Sequence, residues 1–253
     1  MSDLNFDFVV IGGGSAGYAA ARTAHSLGLR VAVVDGAEEL GGLCILRGCM
    51  PSKTLIESAD RYLTIRHAAD FGLKAQAQGV DVKAIRDRKR TLIAEFAEYR
   101  QGQLEDGRFM LYRGHAAFVS AHEIAVTPRD GTASFHVTSR SFCVTTGSVA
   151  QVPPIPGLTE TGYWTSDDIL DAEDLPQSFA VLGGGAIALE MAHYLEGIGR
   201  RVTLIQRSAQ FLTGLNPECS QVIEKAYAAR GITCHLGTKI HRVSESQGRK
   251  HLE

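Results

Sequence analysis

The chain has 253 residues, with 28 acidic against 26 basic side chains and a formal net charge of −2, so charge gives no reason to expect a nucleic acid or an acidic surface as partner. No run approaches the ~18 consecutive apolar residues of a membrane span, and five cysteines are too few for a disulfide scaffold in a chain long enough for one large or two medium domains. The N-terminus enters an apolar strand within a few residues and carries no basic leader, so a signal peptide is not expected and the cytoplasm is the default compartment.

Residues 8–35 read as strand, glycine turn, amphipathic helix and second strand, with Gly12, Gly14 and Gly17 in G-x-G-x-x-G spacing. Gly12 permits the tight turn, Gly14 lets a pyrophosphate approach the backbone, and Gly17 keeps helix and strand close. Free N–H groups and the dipole at the helix N-terminus then favour a phosphate. Asp35 ends the second strand, where an acid accepts hydrogen bonds from an adenosine ribose lacking a 2′-phosphate, as in FAD or NAD.

Immediately afterwards comes G-G-L-C-I-L-R-G-C-M-P-S-K, Gly41 to Lys53. It places Cys44 and Cys49 five positions apart and Lys53 four positions after the second cysteine. A spaced pair in a reducing compartment is catalytic or metal-binding. A zinc site would need a second pair with ligand spacing, and none is present. Two thiols next to a nucleotide unit suggest electron exchange between a disulfide and a bound cofactor. Lys53 shares a helix face with Cys49 if the helix has begun by that point.

Residues 52–70 and 82–105 carry helical spacing of apolar positions. The basic run from Arg86 to Arg90 is expected on a solvated face. From Phe109 to Val144 the period shifts toward two, with turn signals at Pro128–Gly131, predicting a small antiparallel meander. Gln151 to Gly157, Q-V-P-P-I-P-G, is the natural linker between two domains. Residues 179–206 then repeat the unit at 8–35 without a gap, with Gly183, Gly185 and Ala188 at the glycine positions. The second strand here ends at Gln206 followed by Arg207. Arg207 either pairs with a 2′-phosphate, which leans this site toward NADPH, or is a solvated surface residue. A helix near 217–229 and short strands near 232–236 and 239–244 complete the pattern. Cys143, Cys219 and Cys234 have no partner spacing and are expected as small buried hydrophobes.

The architecture predicted is α/β: two Rossmann-like dinucleotide-binding units, three-layer, with a small antiparallel β-meander. Two such units with C-x-x-x-x-C-x-P-S-K after the first resemble the class I flavoprotein disulfide reductases, which include dihydrolipoamide dehydrogenase, glutathione reductase and mercuric reductase. T-T-G-S at Thr145 to Ser148 is similar to the segment that closes the FAD domain in that family. The resemblance implies an FAD-binding domain over 1–150 and an incomplete NAD(P)-binding domain over 151–253, without the C-terminal dimerisation domain. It assigns FAD to Gly12, Gly14, Ser15, Ala16, Gly17, Asp35, Gly42, Lys53, Thr146 and Gly147, and NAD(P)H to Gly183, Gly185, Ile187, Gln206 and Arg207. Cys44 becomes the interchange thiol that attacks a substrate disulfide, and Cys49 the flavin-side thiol that forms a charge-transfer complex as a thiolate. Lys53 sits near the flavin and pairs with Glu190. The implied activity is NAD(P)H-dependent reduction or oxidation of a small-molecule or protein-bound disulfide, dihydrolipoamide dehydrogenase-like. A mercuric reductase-like enzyme is the alternative, as is a truncated nucleotide-binding module without full turnover. No nucleic acid, membrane or resident metal is implied, and the full-length protein is expected to be a homodimer.

Three positions depart from the family pattern. Leu43 replaces a threonine that helps hold FAD phosphate. Arg47 puts a charge between the cysteines, suited to steadying a thiolate or binding an acidic substrate. Ala186 replaces the gating tyrosine of glutathione reductases. The chain also stops where the family continues, so it reads as an N-terminal fragment that lacks the acid–base histidine of the other half.

Overall fold

The computed structural model describes residues 4–253. Met1 to Asp3, on which the expectation about a leader partly rests, lie outside the described residues. The chain divides into two compact units, one made of residues 1–51 and 90–149, the other of 52–89 and 150–253.

The first unit begins with β1 (Asn5–Ile11), α1 (Ser15–Ser26) and β2 (Val31–Asp35). These strands are apolar nearly throughout because both faces are covered. Val10 and Val33 face α1, packing with Tyr18, Ala21 and Leu104. Val9, Ile11, Ala32 and Val34 face the other way, against Ile124, Val126 and Val137. The period-two alternation of side chains thus builds three layers: helices, parallel sheet, antiparallel strands.

The short α2 (Gly42–Leu46) carries Cys44, and α3 (Cys49–Arg66) starts on the second cysteine. A 3-10 turn over Ala68–Phe71 leads toward α4 (Val82–Glu105). The unit boundary falls inside both long helices, between Pro51 and Ser52 and between Lys89 and Arg90. The meander follows as β3 (Met110–Ser120), β4 (Glu123–Pro128) and β5 (Phe135–Val144). It is antiparallel as predicted, but it is not a separate sheet. β3 is long enough to run parallel to β2 along its first half, and β5 runs parallel to β1 along its whole length, closing the five strands into a barrel. This closure brings the end of β5, and with it Thr145, onto the glycine turn after β1. Thr145 Oγ1 donates to the carbonyls of Gly12 and Ile11, at 2.8 and 3.1 Å.

In the second unit, α5 (Ser166–Asp171) precedes β6 (Ser178–Leu182), α6 (Ala186–Gly197) and β7 (Arg201–Ile205). After α7 (Pro217–Ala229), β8 (Thr233–His235) extends the parallel sheet in the order β6-β7-β8. Its core gathers Leu55 and Ala59 of α3, Ile169 and Leu170 of α5, Leu189, Met191 and Leu195 of α6, Leu204 and Phe211. Gly197 is needed for this packing, since a Cβ there would lie 2.8 Å from that of Ala59.

The last predicted strand moves. Instead of a strand at 239–244, the chain forms a hairpin of β9 (Val243–Ser246) and β10 (Arg249–Leu252). Its two-residue turn is Gln247–Gly248, both with positive φ, 52° and 69°. That conformation matches the twist of a hairpin, but Gln is not the Asn or Asp that ordinarily announces it.

Two further expectations are corrected. Within the basic run, Arg86 and Lys89 are buried, at 5% and 4% exposure. Arg86 pairs with Asp87 and Glu173, and Lys89 with Asp171 at 2.8 Å, so these cations sew α4 to the C-terminal end of α5 and the residues after it. Their long apolar stems do the packing while the charged heads reach carboxylates. Cys219 is exposed in the first turn of α7, where the buried neighbour is Ser220; Cys143 and Cys234 are half-buried.

Candidate active site: a thiol pair on a nucleotide turn

The first glycine turn is shaped for a bound phosphate. Gly12 has φ +103°, and a Cβ there would meet the carbonyl oxygen of Thr145 at 2.3 Å. A Cβ on Gly17 would come within 1.8 Å of the Gly12 carbonyl oxygen, so only glycine fits. In the second unit the corresponding approach is wider: Ala188 occupies that place, with its Cβ 3.8 Å from where one on Gly183 would lie. The glycine-to-alanine difference between the repeats therefore reports how tightly each helix sits on its strand. Neither α1 nor α6 receives a side-chain cap at its N-terminus, and neither has an acidic residue in its first turn. Their leading N–H groups are aimed out of a glycine turn, which is the donor set a pyrophosphate requires. Around Gly185 nothing lies within 4 Å of an added Cβ, and Ile187 beside it is 64% exposed. Both turns thus fit a dinucleotide.

Asp35 is buried at 6% exposure. Its Oδ2 accepts from the Gly13 N–H at 2.6 Å, and Oδ1 accepts from the Ala37 N–H at 2.8 Å. The carboxylate braces the glycine turn. In the second unit the amide of Gln206 donates to the Gln210 carbonyl at 3.4 Å, and Arg207 is exposed.

The thiol segment is seated on the first turn by glycine against glycine. Gly42 has φ +72°, and a Cβ on it would meet the Cα of Gly14 at 2.4 Å. Gly147, φ +77°, brings the Thr146–Gly147 segment against Leu43, with a Cβ there 3.2 Å from the Leu43 side chain. Leu43 thus makes an apolar contact there. Ile45 and Leu46 of α2 and Met50 of α3 pack on Ile93 and Ala97 of α4. Gly48 permits the bend between α2 and α3, since a Cβ would lie 2.8 Å from the Leu43 carbonyl oxygen and 3.4 Å from Cys44 Cα. The result is that Cys44 and Cys49 touch. A hydrogen bond with Cys49, then burial and charge repulsion from Cys49, push the Cys44 thiol above its usual range, while hydrogen bonds from Ser15 and the Cys49 backbone pull it down. Two close thiols with one shared hydrogen bond hold a single thiolate most easily.

Since α3 begins at Cys49, Lys53 stands one turn further along the same helix. Lys53 forms an ion pair with Glu190 Oε1 of α6. The first unit thus brings Cys44 to Cys49, and the second brings Lys53 to Glu190.

The pyridine nucleotide-disulphide oxidoreductase family model matches residues 6–253. The chain belongs to that family. A pyridine nucleotide-disulphide oxidoreductase implies FAD and NAD(P)H as cofactors, consistent with the two open turns. Among similar proteins, mercuric reductase from Staphylococcus aureus is 31% identical over 245 residues, 96% of this chain and 44% of that protein. Dihydrolipoyl dehydrogenase from Bacillus subtilis (strain 168) is 32% identical over 244 residues, covering 93% of this chain and 51% of the relative. Among solved structures, the Cu(II) complex of the HOCl-induced flavoprotein disulfide reductase RclA from Escherichia coli matches with a TM-score of 0.83 at 26% identity, over 100% of this chain and 53% of that one. The chain spans about half the length of these relatives.

Three residues make contacts here that sequence reasoning did not assign to them. Thr145 locks the first glycine turn; it lies in the recognised T-T-G-S segment, but its hydroxyl contact depends on β5 lying beside β1. Ser15, assigned only to the cofactor, also touches the Cys44 thiol. Ser52, next to Lys53, donates to Glu190 Oε2 at 3.4 Å. No helix among the described residues is long and apolar enough to cross a membrane.

Proposed function

We propose that this chain carries the nucleotide sites and redox pair of a cytoplasmic, dihydrolipoamide dehydrogenase-like disulfide oxidoreductase. The observation that carries the proposal is the seating of Gly42 on Gly14, which fixes the thiol segment on the first nucleotide turn. Gly12 shapes the turn, the N–H groups at Gly14, Ser15, Ala16 and Gly17 hold the FAD pyrophosphate, Asp35 takes the ribose, and Gly42, Lys53, Thr146 and Gly147 complete the contacts. Gly183, Gly185, Ile187, Gln206 and Arg207 hold the nicotinamide nucleotide. Bound FAD supplies a two-electron carrier between that nucleotide and the protein disulfide.

Cys44 is the interchange thiol. As thiolate it attacks one sulfur of a substrate disulfide and displaces the other half as a thiolate; Cys49 then attacks the Cys44 sulfur, releasing the second half and closing the Cys44–Cys49 disulfide. Arg207, exposed and directly after Gln206, supports NADPH as the preferred nucleotide through a 2′-phosphate contact.

Anaerobic NADPH added to the FAD-loaded chain is expected to expose two thiols per chain beyond Cys143, Cys219 and Cys234. In the Arg207→Ala variant the same yield should need roughly tenfold more NADPH, the effect of losing one charge-assisted contact, but no more NADH. Unchanged thiol content at saturating nucleotide would reject the electron path.

A second reading is favoured by the relatives, among them a mercuric reductase and a reductase solved as a Cu(II) complex. A soft metal ion bound by the two adjacent thiolates would be the electron acceptor in place of a disulfide. Metal-dependent NADPH consumption with Hg(II), absent with lipoamide, separates it from the first.

A further inference from the structure

Glu190 stands on α6 with its carboxylate facing two consecutive residues of α3. Lys53 pairs with Oε1, and Ser52 donates its hydroxyl hydrogen to Oε2. Ser52 is 6% exposed, whereas Lys53 and Glu190 are 57% and 34% exposed at their side chains. An exposed lysine–carboxylate pair is weak and geometrically loose, because both long side chains lose entropy in forming it and water competes for each. A buried hydroxyl on a rigid helix turn has no such freedom. At 3.4 Å it gives one carboxylate oxygen a stationary neighbour, and the planarity of the carboxylate then turns the other toward the lysine.

We propose that Ser52 is a positioning residue that orients Glu190 and thereby holds the Lys53 ammonium in one place. The proposal rests on the reading that Lys53 and Glu190 serve the flavin, and its two experimental arms test the positioning and that reading separately. A flavin-side lysine is useful only if its charge is fixed while the electron pair moves, since preorganised charge needs no rearrangement at the moment of reaction.

The first arm uses the chain without FAD. Competitive acetylation of its lysines, read peptide by peptide by mass spectrometry, reports how firmly each amine is held. Lys53 should be acetylated about two- to tenfold faster in Ser52→Ala than in the parent, the range expected when one hydrogen bond is lost, with other lysines unchanged. Glu190→Gln sets the upper limit. Ser52→Thr and Ser52→Val are nearly isosteric and guard against a folding artefact, since only the first keeps the hydroxyl. Thr should restore the slow rate and Val should not. Equal Lys53 rates in Ser52→Thr and Ser52→Val would overturn the proposal.

The second arm loads the same variants with FAD and follows bleaching of the flavin absorbance by NADPH in a single turnover. Bleaching slowed in step with Lys53 reactivity supports both statements. Altered Lys53 reactivity with unaltered bleaching leaves Ser52 as the orienting residue and rejects a role for the pair at the flavin.

Discussion

Cys44 owes its character to two neighbours and to burial. The Cys49 thiol and burial hold it in the neutral form, and Ser15, the first residue of α1, works against both. Iodoacetamide reacts with the thiolate, so its rate at Cys44 should rise with pH to a midpoint above that of an ordinary thiol. Ser15→Ala removes a contact that favours the charged form and should move the midpoint further up; a downward move would show that Ser15 stabilises the neutral thiol instead. At this scale the sequence was informative where an atom's role follows from its type. Gly12 and Gly17 could be read as obligate glycines, because only glycine tolerates the backbone approaches now seen there. Ser15 and Ser52 could not be paired with Cys44 and Glu190, because a hydroxyl's partner depends on which helix folds against it.

Among the elements, α5 is the most dependent on its ends. It has six residues, too short to persist on its own helical propensity. Thr165 and Asp168 close a capping box: Asp168 Oδ2 accepts from the Thr165 N–H at 2.6 Å and from its hydroxyl at 2.8 Å. The Thr165 backbone and side-chain hydrogen bonds hold the Asp168 carboxyl below its usual range. A depressed folded-state value means that the stabilisation is present above the unfolded carboxylate value, about 3.9, and is lost as acid carries the pH through the lower folded value. Thr165→Ala should therefore cost about 1 kcal/mol at neutral pH and less in strong acid, where the hydroxyl no longer meets a carboxylate but still caps the Asp168 N–H, measured by urea unfolding at both. An equal cost at both would refute the capping account. The helix at 82–105 was legible from apolar spacing alone, and so was α3, although the spacing put it at 52–70 and it runs from 49 to 66. The buried Arg86 and Lys89 were not, because periodicity counts a cation as polar and cannot see the carboxylates of Asp171 and Glu173 at the end of α5.

In the whole molecule each unit holds a complete nucleotide turn with its own core. The second unit is further tied by a chain of polar contacts. Asp60 of α3 accepts from His193 of α6 at 2.7 Å, Arg230 reaches His193 Nδ1 at 2.6 Å and pairs with Glu196, and Arg66 also pairs with Glu196 at 3.3 Å. Glu196 is 7% exposed, so its charge depends on these arginines. Arg230→Ala should lower the stability of the second unit by about 2 kcal/mol, the loss of one charged hydrogen-bonded partner while Arg66 remains; a change below about 0.5 kcal/mol would mean Arg66 alone suffices. The repeat made this two-unit plan visible from the sequence, since the same strand–turn–helix pattern occurs twice. Closure of β1–β5 was hidden, because strands far apart in sequence give no local sign of lying side by side. What joins the scales is the thiol pair resting on the first nucleotide turn. Its most direct test is the visible spectrum of the FAD-loaded chain during anaerobic two-electron reduction. The account predicts a long-wavelength thiolate-to-flavin charge-transfer band that is lost in Cys49→Ser. A band that survives in Cys49→Ser, or none in the parent chain with FAD bound, would contradict it.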